Sequence, residues 1–344
     1  MATKRQHFIP RFLQEGFASH TRGGAALTWV HRKGGPPFNS NIINVGVEGF
    51  FYTEGDDTQA DDLITDAEDL FSTLVRNLRT STPAAVSDSQ LPRLISHLEV
   101  RTRHVRQSFL RAGDFLVSRL LDFMADEHAF TAYLERKLWN DPSIFRESLS
   151  KELAKQGLPQ ALLQPLINLS APLLPAFIAQ LRPNLPKLAE ALRSTLPKAL
   201  KDGAKSGHIR VLKEAISPET RIQRYESLTY SVVEASDGPL ILGDSVVLFR
   251  IEGPRPYKAF LDKDDALTAV FLPLSSTRAL IGTHEGASVL PPDLRQALAR
   301  CALEYFIAAE RSDANDLLKE EIGEDAALLS RAELEEIITE LMRE

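Results

Sequence analysis

Cysteine is nearly absent from this chain. Cys301 stands alone among 344 residues, so no intramolecular disulfide and no thiolate zinc cluster is available. Positive charge is not in excess either: 40 Lys and Arg against 47 Asp and Glu give a net charge of −7. That balance argues against a general nucleic-acid coat and leaves room for a local basic groove. No apolar run of seven or more follows the basic start, Met1-Ala-Thr-Lys-Arg-Gln-His, so we expect no secretory signal and a cytoplasmic location. There is no His-Glu-x-x-His, no Gly-x-Ser-x-Gly, no Walker lysine loop and no dinucleotide fingerprint. Gly23-Gly24 and Gly34-Gly35-Pro36-Pro37 read as turns rather than phosphate cradles. No internal repeat or low-complexity tract stands out.

What is present is ordinary for a globular protein: 43% hydrophobic and 25% charged residues. The length fits about two domains or one large irregular one. We read one α+β domain over 1–344, predominantly helical, with short N-terminal strands and a C-terminal antiparallel sheet of four to five strands. Within it, 141–216 is expected to be a helical Leu/Pro-rich insertion, and 226–344 the C-terminal sheet and helices. Strand candidates are Ala25–His31, Asn41–Val47 and Phe50–Thr53 near the start. Later candidates are Ser227–Glu234, Pro239–Gly243, Ser245–Phe249, Thr268–Leu272 and Arg278–Gly282. One apolar helical stripe runs through Leu63, Ala67, Leu70, Phe71, Leu74 and Leu78, and a second from Leu91 to Phe109. Helix is also expected from Pro292 to Arg311.

Residues 156–181 form the longest stretch without charge, 26 residues. The length invites a membrane reading. Pro159, Pro165, Pro172 and Pro175 interrupt it, and Gln160, Gln164, Asn168 and Gln180 would need partners in lipid. A buried, proline-broken helical hairpin is the preferred expectation, and a membrane-active element the third-ranked one.

Several segments taken together are familiar. Gln6-His7-Phe8-Ile9-Pro10-Arg11-Phe12-Leu13, with Phe17, resembles the opening of a large, mostly bacterial domain family of unknown function. Its members begin Gln/Lys-His-Tyr/Phe-Val/Ile-Pro-x-Phe/Tyr-Leu. Val100-Arg101-Thr102-Arg103 resembles the family's Arg-Thr-Pro segment, with Arg103 in place of proline. Leu240-Ile-Leu-Gly-Asp244-Ser245-Val246 resembles a strand ending Ser-Asp-x-Pro-Val, with Gly243 for serine and Val246 for proline. Phe271-Leu-Pro273-Leu274-Ser275 is similar to its Pro-Leu-Ser segment, and Asn315 to an asparagine beyond it. The resemblance implies a mixed α+β domain whose two ends meet the C-terminal sheet, and a context near bacterial defence genes. It implies no particular reaction.

The candidate chemistry is sparse. His7 is a candidate base or metal ligand, set beside an apolar anchor. Asp244 ends an apolar run after a glycine, a place for metal or hydroxyl binding or for a turn cap. Glu68 sits at the edge of the first apolar stripe, where it faces either a cleft or Arg101 in an ion pair. His7, Glu68 and Asp244 together would make a catalytic site for a hard divalent cation such as Mg²⁺ or Mn²⁺. With Arg101 and Arg103 nearby, such a site cuts phosphodiesters. Gln6, Arg101, Arg103, Ser275 and Asn315 are the candidate ligand-binding residues. His97 and His104 are expected on an outward helix face, and Cys301 mid-helix as a small buried residue. The basic run Arg93, Arg101, Arg103, His104, Arg106 and Arg111 is expected to pair with the seven acids between Asp56 and Asp69. The leading expectation is a binding or effector protein that takes an unknown ligand or protein partner in a cleft between the N-terminal motif, the basic helix and the C-terminal sheet. Nucleic acid is not favoured as a partner, and a membrane is not expected. The alternative is a metal-dependent nuclease or phosphodiesterase.

Overall fold

A computed structural model describes residues 5–140 and 142–343. The chain divides into two compact units, 1–109 with 203–328, and 110–202 with 329–344. The first is α+β and the second is helical.

In the first unit a helix spans Gln59–Thr80, with Asp61 and Asp62 in its first turn, where the positive dipole end favours them. Ile64, Phe71, Leu74, Val75 and Leu78 recur on its buried face. The basic stretch after it is two helices, Leu91–Val100 and Arg103–Ala125, broken at Arg101-Thr102. Leu91, Leu94, Ile95 and Leu98 of the shorter helix have no exposed surface.

A six-stranded antiparallel sheet follows the order Tyr257–Lys258, Leu248–Ile251, Leu267–Pro273, Arg278–Thr283, Thr229–Glu234, Ala85–Val86. Its central hairpin pairs Phe271 with Ile281, and Leu280 pairs in turn with Val232. Val270, Phe271, Leu272, Ala279, Leu280 and Ile281 are all buried, so both faces of the hairpin are covered.

The second sheet joins the two ends of the chain. Ala25–Arg32 pairs with His20–Arg22, with Phe38–Asn41 and with Tyr305–Ala308. Tyr305–Ala308 pairs in turn with Leu242–Gly243. A separate two-stranded ribbon pairs Arg5–His7 with Val47–Gly49. Three strand expectations and one helix expectation shift accordingly. Asn41–Val47 is mainly the single 3₁₀ turn Ile42–Asn44 between the strands Phe38–Asn41 and Val47–Gly49. Phe50–Thr53 is a turn after the ribbon, with Phe50 at φ +52°. Leu242–Gly243 belongs to the N-terminal sheet rather than to the C-terminal one. Within the helix expected over 292–311, only Leu294–Arg300 is α-helical, and Tyr305–Ala308 is a strand. A short apolar run such as Tyr-Phe-Ile-Ala has no period of its own, and its pairing decides its form. Cys301 is the buried residue that caps the short helix.

The second unit consists of the later part of Arg103–Ala125, then Glu127–Asn140, Pro142–Lys155, Leu163–Ser170, Leu174–Leu181, the start of Leu185–Glu214, and Arg331–Arg343. Its core is thin: Leu121, Leu153, Ile178, Leu185, Ala189 and Leu334 are its buried apolar side chains among the described residues. Single-turn 3₁₀ segments at Ala171–Leu173 and Arg182–Asn184 carry prolines and divide the helices. Among the described residues no single helix is long and apolar enough to cross a membrane.

Candidate functional site

The N-terminal motif docks through its backbone. Phe8 N and Ile9 N both donate to Gly46 O, at 2.8 and 3.2 Å. Gly46 sits at φ +64°, and a Cβ there would lie 2.6 Å from Ile9 Cβ, so only glycine fits. Gln6 is buried and spends both ends of its amide. Its Nε2 donates to Thr53 Oγ1 at 2.6 Å, and its Oε1 accepts from Tyr52 N at 2.6 Å. Five residues on from Ile9, Gln14 Nε2 donates to Ile9 O and Val45 O, at 2.9 and 3.0 Å.

Arg101 is the hub of this clasp and is 1% exposed. Its Nη2 donates to His7 O at 2.7 Å and meets Glu68 Oε1 at 2.6 Å. Its Nη1 meets His97 Nε2 at 3.0 Å, and its Nε donates to Tyr52 OH at 3.3 Å. Tyr52 OH in turn donates to Arg101 O at 2.9 Å. Burial works against the guanidinium charge, but Tyr52 and Glu68 outweigh it and hold Arg101 above its ordinary range. His97 is wholly buried, not on an outward face. Its Nδ1 lies 3.2 Å from Ile216 O. Carbonyl and guanidinium together require Nδ1 to carry the proton and Nε2 to accept. Burial, then Arg101, holds its pKa well below the usual value.

The same arrangement recurs one turn further on. His208 Nε2 lies 2.8 Å from Val100 O, and its Nδ1 faces Arg106 Nη2 at 3.1 Å. Arg106 stacks over Phe51 with its guanidinium carbon 3.8 Å from the ring centroid, and donates to Phe51 O at 2.6 Å. Burial, then Arg106, lowers His208 to about 4. His104, like His97, is buried rather than outward-facing. Of the basic run, Arg101 meets an acid of the Gln59–Thr80 helix, whereas Arg103 turns to Glu304 at 2.6 Å and to Glu48 at 3.4 Å.

A third buried polar centre lies at Glu99, which has no exposed surface. It accepts from Arg221 Nη1 (2.9 Å), Tyr225 OH (2.5 Å) and Leu261 N (3.0 Å). Burial raises its pKa against the pull of Arg221. Tyr52, His97, Glu99, His208, Arg221 and Tyr225 carry as much of the polar interior as the motif does. The spacing of His97 and Arg101, four residues apart on one helix face, is the one sequence signal among them.

The structure brings His7, Glu68 and Arg101 together and places Asp244 in a different role. His7 is held below its usual pKa by burial, then by Arg11, with Glu68 pulling the other way. Its Nε2 is buried and meets no hydrogen-bond partner among the described residues. Asp244 instead clamps the start of the Tyr305–Ala308 strand. Oδ1 accepts from Leu303 N at 2.6 Å, Oδ2 from Glu304 N at 2.9 Å, and its own N donates to Tyr305 O at 3.1 Å. Burial pushes its pKa up to about 7 against those amides. The next turn residue but one, Val246, has φ +67°, a strained setting for a β-branched side chain.

A cation site built on His7, Glu68 and Asp244 is therefore corrected. Both Asp244 oxygens are spent on backbone amides. Among the described residues no group of three or more His, Cys, Asp or Glu is placed to hold a metal ion. The donor set does not fit Mg²⁺ or Mn²⁺, which ask for several converging oxygens. Asp244→Ala is expected to cost about 1–3 kcal/mol for each orphaned amide, read as a lower urea midpoint. A ligand-only aspartate would leave that midpoint unchanged.

The remaining ligand-binding candidates are also internally satisfied. Arg101 and Gln6 face no cleft, as their bonds above show. Asn315 is buried, accepting from Arg295 Nη2 at 3.0 Å and donating to Glu310 O at 3.1 Å. Ser275 Oγ accepts from Thr277 N at 3.2 Å within the hairpin turn.

The model of the family described as "Protein of unknown function (DUF4238)" matches residues 5–289. The chain belongs to the DUF4238 family. The match takes in the N-terminal clasp, the Arg101 hub, Asp244 and Ser275, and it ends before Asn315. No curated protein and no solved structure matches this DUF4238 chain.

Proposed function

We propose that this DUF4238 protein acts by binding: its first unit is a scaffold and its second unit presents the recognition surface, in keeping with a binding or effector role. One contrast carries the reading. Gln6, Arg101, Asp244 and Asn315, which look chemical in the sequence, are bonded inside the first unit. In the second, Leu169, Leu173, Phe177 and Leu181 recur four apart and are 38–69% exposed. Large apolar side chains scattered singly need no explanation, but four exposed within one thirteen-residue segment point to an interaction site. The prolines that divide this segment keep it as short helices, so its apolar side chains are not withdrawn into one long packed rod. The hydrolase alternative draws no support from the geometry, since Asp244 is committed to the backbone.

The test is the triple variant Leu169→Ser, Leu173→Ser, Phe177→Ser. Its unfolding free energy is expected to stay within about 0.5 kcal/mol for each exposed site. Fluorescence of a dye that binds exposed apolar surface is expected to fall to a small fraction of the wild-type signal. A large drop in melting temperature would place these residues in a core and end the proposal.

A further inference from the structure

Resting on that reading, we infer that the exposed surface of residues 158–188 docks on an anionic lipid bilayer, lying in the interface without crossing it. The inference starts from charge. Residues 146–202 carry eight Lys or Arg against four Asp or Glu, in a chain whose net charge is −7. None of the twelve lies within 156–181. The positive charge therefore brackets the apolar segment: Lys151 and Lys155 stand before it and Lys187 after it, all exposed. None of these three meets an acid among the described residues. A protein partner's apolar groove needs no such bracket, whereas anionic headgroups do attract one. Lysine stems reach past an apolar face and keep the ammonium at headgroup level.

Shape points the same way. Gln160–Ser170 and the helical stretch from Leu174 to Glu214 meet at 75°, and only together do they reach the length and apolarity of a span. Gln160, Gln164, Asn168 and Gln180 are all exposed. In the hydrocarbon centre each would be costly, but at the headgroup boundary each stays hydrated. A bent, proline-divided element with exposed apolar side chains along it and cations before and after it suits the boundary. Leu169, Leu173 and Phe177 then enter the acyl region, and Ile178 and Leu185, which are buried, hold the element to its own unit.

The experiment is co-sedimentation of the full chain with vesicles of phosphatidylcholine alone, and of phosphatidylcholine mixed with phosphatidylglycerol. Wild type is expected to bind the mixed vesicles at least about tenfold more tightly than the neutral ones, and binding should weaken as salt rises. The serine triple variant is expected to lose about tenfold or more on the mixed vesicles. A second variant, Lys151→Gln, Lys155→Gln, Lys187→Gln, leaves the apolar residues in place and is expected to lose the preference for anionic lipid. Sedimentation equilibrium without lipid is run on the same proteins. No binding to either vesicle, with self-association that the serine variant abolishes, overturns the membrane inference and leaves the recognition surface standing with a second copy as its occupant. No vesicle binding and no association in a folded protein overturns both.

Discussion

Arg101→Ala is expected to lower folding stability by about 3–5 kcal/mol, the cost of breaking a buried charge network by removing one partner. Four groups lose their bond to this side chain at once, while Tyr52 OH keeps the Arg101 carbonyl. The His7 carbonyl, the His97 Nε2 and the Tyr52 hydroxyl are enclosed, and only Glu68, about one-third exposed, can turn to water. This side chain ties the clasp that orders the N-terminus to the Gln59–Thr80 helix, beside a second tie from Arg79 Nη2 to Leu13 O at 2.9 Å. The loss should therefore appear as a melting temperature lower by about 10 °C in a unit of this size. Arg101→Lys is not a rescue. A single ammonium offers its donors from one point and cannot reach a carbonyl, a carboxylate, an imidazole and a phenol from one planar fork. Thermal melts of both variants check this, and a loss under about 1 kcal/mol in the alanine variant removes Arg101 from its place as the hub.

The fold class was readable from period and punctuation. The 3.6-residue stripe of Gln59–Thr80 and the alternation of Thr229–Glu234 and Arg278–Thr283 are strong local signals, and each element forms where its pattern lies. The failures share one cause. Tyr305–Ala308 and Leu242–Gly243 are short and wholly apolar, and what makes them strands is pairing with each other and with Ala25–Arg32. Ala25–Arg32 lies more than 200 residues from Tyr305–Ala308, and Leu242–Gly243 more than 60 from it, and no local rule reaches that far. The break at Arg101-Thr102 was hidden for a related reason: besides His97 of its own helix, groups from three other segments hold the arginine side chain there.

The site was legible as a set of residues and illegible as a role. His7, Gln6, Arg101 and Asp244 are polar residues beside apolar anchors, which is the pattern of a catalytic cleft and also the pattern of a satisfied polar interior. What separates the two is the partner list. Asp244 meets two amides, and Arg101 meets four acceptors. Glu99, on a helix otherwise read as apolar, gave no hint that Arg221 and Tyr225 would come to it. Asn315 looked like a ligand-binding amide, and it is spent on Arg295 and Glu310. Most buried polar groups are paired, and the internal arginines here find their acceptors within the fold itself.

His208 gives the clearest pH test of that interior. Its folded pKa is about 4 against an ordinary 6.5, because burial and Arg106 both disfavour the imidazolium. A group with a lowered folded pKa binds fewer protons folded than unfolded between those two values. Its contribution is complete above about pH 6.5 and is lost as pH falls toward 4. The full effect is about 2–3 kcal/mol for this partly buried ring. Wild-type stability alone does not isolate it. Asp244, raised to about 7, works in the opposite sense and gains on acidification over the same range. The difference between wild type and His208→Gln cancels that term. Glutamine donates to Val100 O through Nε2 and accepts from Arg106 through Oε1, so both hydrogen bonds survive without a titrating group. Urea unfolding of the two proteins at pH 7 and pH 4 is therefore expected to show the wild type losing about 2–3 kcal/mol more than the variant on acidification. Parallel losses in the two proteins would mean that His208 is protonated at no cost, and that the paired histidine–arginine arrangement does not hold the imidazole neutral.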